Sequence, residues 1–147
     1  MSGLWLEIPS QKMQANIVGV PLAYRNWDVT WLGNDAGWLN GTAYPTWLGN
    51  SVITAHVTTA RGLPGPFANL KNLGYGNKIV VHQLGEKYTF EVRDTRMVFP
   101  DTTGYTFEHL SGKSYLTLIT CQGYNFLTNS YMFRRVVRAV LVKVEAE

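Results

Sequence analysis

A chain of 147 residues with 46% hydrophobic and 16% charged residues is long enough for one domain with a real core, and too apolar to be disordered. Its formal net charge of +3 is too weak to argue for nucleic acid, and no apolar run approaches the length of a membrane span. A single cysteine excludes an internal disulfide.

In chain order the pattern is one of short strands and turns. The N-terminus, Met1-Ser2-Gly3-Leu4-Trp5-Leu6, lacks the basic start and long apolar stretch of a signal peptide. Residues 15–20 read as a first strand. The stretch from Trp27 to Asn50, rich in Trp, Gly and Asn, reads as turns and short extended pieces. It contains Thr-Trp-Leu-Gly-Asn at 30–34 and again at 46–50, too few copies for a repeat architecture and read as two similar turns. Residues 51–57 read as a strand that delivers His56 near its end. Gly62-Leu63-Pro64-Gly65-Pro66 is a loop, because two prolines cannot donate to a ladder. Phe67 to Leu73 suits one short helical turn.

Residues 78–83 and 87–93 form two strands joined at Leu84-Gly85-Glu86, a hairpin. In the second strand Tyr88, Phe90 and Val92 alternate with polar residues. Residues 99–114 are a long connection with a helical turn expected near 106–110. Residues 115–120 are a strand ending on Cys121, followed by a polar loop over 122–131 and a last strand from about residue 133 to 144. Nothing sustains helical periodicity, so the pattern predicts a mostly β fold, a closed barrel or a sandwich.

The chemistry-bearing residues are few. Cys121 stands at a strand end beside a polar loop, although a lone cysteine is more often a small buried hydrophobe. His56 closes an apolar strand, where an imidazole is an expensive choice unless it is used. His82, inside a strand, reads as structural, and His109, beside Glu108, as solvated. Arg134 and Arg135 open the last strand on opposite faces, and periodicity does not choose between them. The histidines are far apart and no ligand-pair spacing appears, which argues against a metal site. Four of the five tryptophans lie between Trp27 and Trp47; they suit a sugar-stacking platform, or more commonly core and loop anchors.

Thr117-Leu118-Ile119-Thr120-Cys121 resembles the TLxTC signature of sortases, the cysteine transpeptidases of bacterial cell surfaces. Val52-Ile53-Thr54-Ala55-His56 resembles the strand carrying that family's histidine, with Ala55 where glycine is common. Phe67-Ala68-Asn69-Leu70 matches the F-x-N/D-L segment that follows, and Val98-Phe99-Pro100 resembles the start of the connection walling the groove. The family's arginine precedes Val-x-Ala by three residues, which selects Arg134 ahead of Val137-Arg138-Ala139. The resemblance spans roughly residues 15–145, and the segment around Gly41-Thr42-Ala43-Tyr44-Pro45 leans toward the class D/E-like group.

The resemblance implies a single closed, mixed β-barrel of about eight strands with short helical turns in its loops. Residues 1–14 would be an N-terminal tether and 15–147 the catalytic domain. Cys121 would be the nucleophile, His56 the acid and Arg134 the oxyanion partner. Thr120, Leu63, Phe67, Asn69, Phe99 and Tyr124 would contact the substrate. That substrate would be a secreted protein with a C-terminal LPxTG-like sorting signal, and the acceptor an amine such as a peptidoglycan precursor. No metal or other cofactor is expected, since Asp101 and Glu108 are the only acids of the 99–114 loop and make no convincing pair. The native form would be anchored upstream of residue 1, on the outer face of the bacterial membrane. Two other readings stay open: a cysteine hydrolase using the same three residues, and a non-catalytic carbohydrate- or peptide-binding barrel.

Overall fold

The structure, a computed structural model, describes residues 2–24, 26–98, 104–121 and 134–147, with Cys121 described by its main chain alone. In chain order the strands are β1 (Leu4–Ile8), β2 (Met13–Val20), β3 (Leu22–Ala23), β4 (Asn26–Trp27), β5 (Ala36–Leu39), β6 (Gly49–His56), β7 (Lys78–Gln83), β8 (Glu86–Val98), β9 (Ser114–Cys121) and β10 (Arg134–Ala146). Eight of them close into a barrel in the order β1-β2-β5-β6-β9-β10-β8-β7, while β3 and β4 pair apart from it. The sheet is mixed: β2 runs parallel to β5 and β6 parallel to β9, and the other neighbours are antiparallel. This is the closed mixed barrel of eight strands that the resemblance implies.

Alternation along the strands sorts the residues into two cores. Leu6, Ile8, Ile53, Ala55, Leu116 and Leu118 belong to the interior of the barrel, with Phe90, Val92, Val137 and Ala139 facing them. The opposite face of the same strands carries Val52, Ile119 and Val136. These pack with Val20, Leu32 and Leu39 in a second cluster, covered by Trp27, Val29, Tyr105 and Phe107. The 26–35 and 104–108 segments are thus fastened to the outside of the barrel by apolar burial, worth about 1.5–3 kcal/mol for each large side chain fully withdrawn from water.

The first expectation to fall is the tether. Residues 4–8 are strand β1, paired with β2 on one side and β7 on the other, and Leu6 and Ile8 are fully buried. Alternation accounts for it: Leu4, Leu6 and Ile8 put apolar side chains on one face, which is what a barrel strand requires. His82 is structural as expected. It is buried, stacks on Trp5 with ring centres 3.7 Å apart, and bonds Glu7 at 2.8 Å and Glu147 through its two ring nitrogens.

The helical turn expected over Phe67–Leu73 is the 3-10 turn η2 (Leu70–Asn72), which follows η1 (Pro9–Gln11) in chain order. No helix forms at 106–110, where residues 104–107 make a turn. The first Thr-Trp-Leu-Gly-Asn copy lies in turns, with Gly33 at φ 59°, whereas the second turns over 46–48 and enters β6 at Gly49, φ 110°. They are used differently: Leu32 is buried beneath the outer face, whereas Leu48 is exposed.

Candidate active site

The parallel pairing of β6 with β9 carries the site. Its register runs from Gly49 opposite Ser114 to His56 opposite Cys121, so the histidine and cysteine positions are direct neighbours at the ends of adjacent strands. On the other side of β9, β10 pairs antiparallel with Val136 opposite Ile119. Carried two residues further, that register sets Arg134 against Cys121. Position 121 therefore lies between His56 and Arg134. By alternation all three positions belong to the outer face, on which Val52, Ile119 and Val136 form the second cluster.

Thr120 is held from two sides. Its carbonyl accepts a hydrogen bond from Arg134 Nη1 at 3.1 Å, and its hydroxyl accepts one from the Arg135 main-chain N–H at 3.0 Å. It is buried and shares the inward parity of Leu116 and Leu118. In this arrangement Thr120 fixes the strand leading into Cys121. Arg135 takes the other face, where its Nη1 donates to Thr95 Oγ1 at 3.1 Å.

His56 is only 5% exposed. Burial pushes its imidazole below the ordinary histidine pKa, and the main chain of Val29, acting on the ring, offsets part of that effect. Its Nδ1 is buried with no hydrogen-bond partner among the described residues. The chain leaves His56 through a tight crossing: the Phe67 N–H donates to the His56 carbonyl at 3.1 Å and the Gly65 N–H to the Val57 carbonyl at 2.8 Å.

The remaining expected substrate contacts separate. Leu63 is 58% exposed on the loop after His56. Phe67 is 1% exposed within the barrel core, so it is no groove contact; an apolar ring at that crossing is drawn inward by burial. Asn69 lies beside Ser10, Gln11, Asn72 and Asn77 in a polar depression, its carbonyl accepting from Gln11 Nε2 at 2.6 Å. Phe99 and Tyr124 lie outside the described residues. Among the described residues, no three His, Cys, Asp or Glu side chains are grouped to hold a metal.

Sequence reasoning missed a polar clamp below the site. Arg138, nearly buried, donates from Nε to Thr117 Oγ1 and from Nη1 to Glu108 Oε1, both at 3.1 Å, and from Nη2 to the Tyr105 carbonyl at 2.5 Å. Thr117 donates in turn to Asn50 Oδ1 at 2.5 Å, and Asn50 Nδ2 reaches the carbonyls of Thr106 and Glu108. The Tyr105 ring is sandwiched between the guanidiniums of Arg96 and Arg138, each 4.1 Å from its centre. Tyr105 donates to Asp94 Oδ2 at 2.9 Å, and burial together with that bond raises its hydroxyl to about 12. The available signal was Arg138 itself, a charge amid Val136-Val137-Arg138-Ala139-Val140, where an unpaired guanidinium would be costly.

The family model for the Sortase domain matches residues 6–142. Among solved structures, a sortase A of Corynebacterium diphtheriae, a lid mutant, superposes with a TM-score of 0.77 at 28% identity, over 97% of this chain and 70% of that one. A sortase C-1 of Actinomyces oris gives 0.74 at 29% identity, over 95% and 73%. A sortase D5 transpeptidase of Clostridium perfringens gives 0.73 over 95% and 78%, and at 21% identity speaks to the fold alone. These relatives span several classes and do not single out the D/E-like group toward which the sequence leans. No curated protein matches the chain by sequence.

Proposed function

The chain belongs to the sortase family of cysteine transpeptidases, and from that premise we propose that Cys121 is its nucleophile, His56 its proton carrier and Arg134 its oxyanion partner. The donor substrate is a secreted protein bearing a C-terminal LPxTG-like sorting signal, and the acceptor is an amine such as a peptidoglycan precursor. The observation carrying this reading is the strand register that sets position 121 beside His56, with Arg134 bonded to the carbonyl of the preceding residue.

A free thiol, with a pKa of about 8.5, is mostly protonated at neutral pH, so the reactive form is a minority thiolate–imidazolium pair. The Cys121 thiolate attacks the carbonyl carbon of the Thr–Gly bond, and the guanidinium of Arg134 donates to the developing oxyanion. Collapse forms the thioester and breaks the C–N bond. The departing glycine-side amine takes its proton from the His56 imidazolium. The acceptor amine then attacks the thioester, returns a proton to the imidazole and releases Cys121. Leu63, with Phe99 and Tyr124, supplies apolar contacts to the signal. A membrane anchor upstream of residue 1 would hold the enzyme on the outer face of the membrane, raising its effective concentration against membrane-retained donors. No helix of the described residues is itself long and apolar enough to cross a membrane.

Incubation with a panel of LPxTG-like peptides, followed by intact mass spectrometry, should show an adduct of the acyl half on Cys121. Added amine should convert that adduct to transfer product, whereas product formed only with water would mark a hydrolase. Cys121→Ala should form no adduct and His56→Ala should lose nearly all turnover. Arg134→Ala should lose roughly a hundredfold, the scale of removing one oxyanion donor. An adduct formed normally by Cys121→Ala would overturn the assignment.

A further inference from the structure

The outer face that carries buried His56 is covered by a segment with no regular structure of its own. Residues 28–35 run outside the barrel in turns, with Leu32 in the outer-face cluster and Val29 packed against it, beside Val52 of β6 and Ile119 of β9, the neighbours of His56 and of position 121 on that face. The Val29 carbonyl accepts from the Leu32 N–H at 3.3 Å, so its direction is fixed by a turn and not by a ladder. Two side chains pin that turn. Leu32, at 2% exposure, sits on Gly37 so closely that a Cβ there would meet its methyls at 3.0 and 3.1 Å. Trp27, at the other end, donates from Nε1 to the Asn40 carbonyl at 3.0 Å and stacks on Phe107, centres 5.2 Å apart and planes 8° from parallel. Phe107 is itself held by the neighbouring bonds of Asn50 to the carbonyls of Thr106 and Glu108.

We propose that the Trp27–Phe107 stack is a positioning device for His56: by fastening the 26–32 segment to the 104–108 segment, it keeps the cover of the outer face in place and withholds the ring from water. Trp27 and Phe107 are then positioning residues that touch no reacting atom. The proposal rests on the reading of His56 as the proton carrier. Its direct consequence is a titration that can be followed without turnover.

The sign follows from the cause. Burial disfavours the imidazolium and outweighs the opposing Val29 main chain, so loosening the segment restores water and raises the midpoint. The other titratable groups on the elements around His56 include Asp28 and Asp35 on the covering segment, Tyr105 and Glu108 on the 104–108 segment, Arg61 on the 57–66 loop, Cys121 on β9 and Arg134 on β10. None of them is altered by the substitutions proposed.

The test is an NMR titration of the His56 ring in the full chain, beside the pH profile of kcat/KM. Trp27→Ala should raise the His56 midpoint toward about 6.5, the ordinary value. Phe107→Leu, which keeps apolar volume against Trp27 and so guards the fold, should move it the same way. Trp27→Phe, which keeps a stacked ring, should restore most of the wild-type value, and Trp47→Ala, on an exposed loop, should leave it unchanged. The acid limb of the activity profile should follow the His56 midpoint. An unmoved His56 midpoint in Phe107→Leu, or an equal shift in Trp47→Ala, would overturn the proposal. Failure of the sortase reading would appear separately, as absent acyl transfer in a wild-type protein whose His56 still titrates as described.

Discussion

Gly65 is the residue whose identity the site most directly demands. A Cβ there would lie 2.2 Å from the His56 carbonyl oxygen and 2.8 Å from its carbonyl carbon, so no alanine fits without moving the end of β6. Main-chain crowding of this kind is relieved by backbone displacement at about 1–3 kcal/mol, and here the displaced element carries the histidine. Gly65→Ala should therefore lower the denaturation midpoint modestly and activity far more. Equal activity per folded molecule in the variant would show that His56 is not fixed by this crossing. In sequence, Gly65 was legible only as a loop glycine between two prolines, because what constrains it is a strand end nine residues earlier. The arginine pair tells a similar story. Periodicity placed Arg134 and Arg135 on opposite faces; what it had no means to convey is that both bind Thr120, one at the carbonyl and one at the hydroxyl.

Strands with clear alternation or long apolar runs were legible as elements: β6, β7, β9 and β10 lie where the pattern of apolar residues put them, to within about two residues at their ends, and β8 starts as expected but runs on to Val98, beyond the expected 87–93. β1 and β5 were not. β1 has five residues and is followed at once by Pro9, and β5 has four in a stretch crowded with Gly, Asn and Trp. Strands this short carry too little signal of their own and exist because both neighbours pair with them. The segment that packs on the outer face over 104–108 was equally hidden, since its anchor, Arg138, is on another element thirty or so residues away. Arg138→Met keeps the stem but leaves Thr117, the Tyr105 carbonyl and Glu108 without their donor. Because Glu108 is half exposed, its ion pair counts for little, and the loss falls mainly on the buried bonds, about 2–3 kcal/mol in a urea titration. Tyr105→Phe, which retains the ring between the two guanidiniums, should cost only about 1 kcal/mol. A larger loss for Tyr105→Phe than for Arg138→Met would place the anchor at the Tyr105–Asp94 bond instead.

For the molecule as a whole, barrel closure is what turns distant motifs into one site. The order of the motifs was legible in the sequence, but their adjacency depends on a parallel pairing of β6 with β9 that no local pattern encodes. That pairing belongs to a ring of eight strands that is complete only because β1 joins β2 to β7. Deleting residues 1–8 would open the ring, expose the edges of both neighbours and remove Leu6 and Ile8 from the core. It would also strip Trp5 and Glu7 from the buried His82. Two fully buried side chains are worth about 3–6 kcal/mol before any ladder bond is counted, against a total of about 5–15 kcal/mol for a typical domain. The truncated chain should therefore lose its cooperative thermal transition and associate through its open edges, seen by circular dichroism and size-exclusion chromatography. A tether would behave otherwise, since its removal leaves both transition and activity in place. A chain starting at residue 9 that melted cooperatively at the wild-type temperature and still formed an acyl-enzyme would show that the barrel closes without β1.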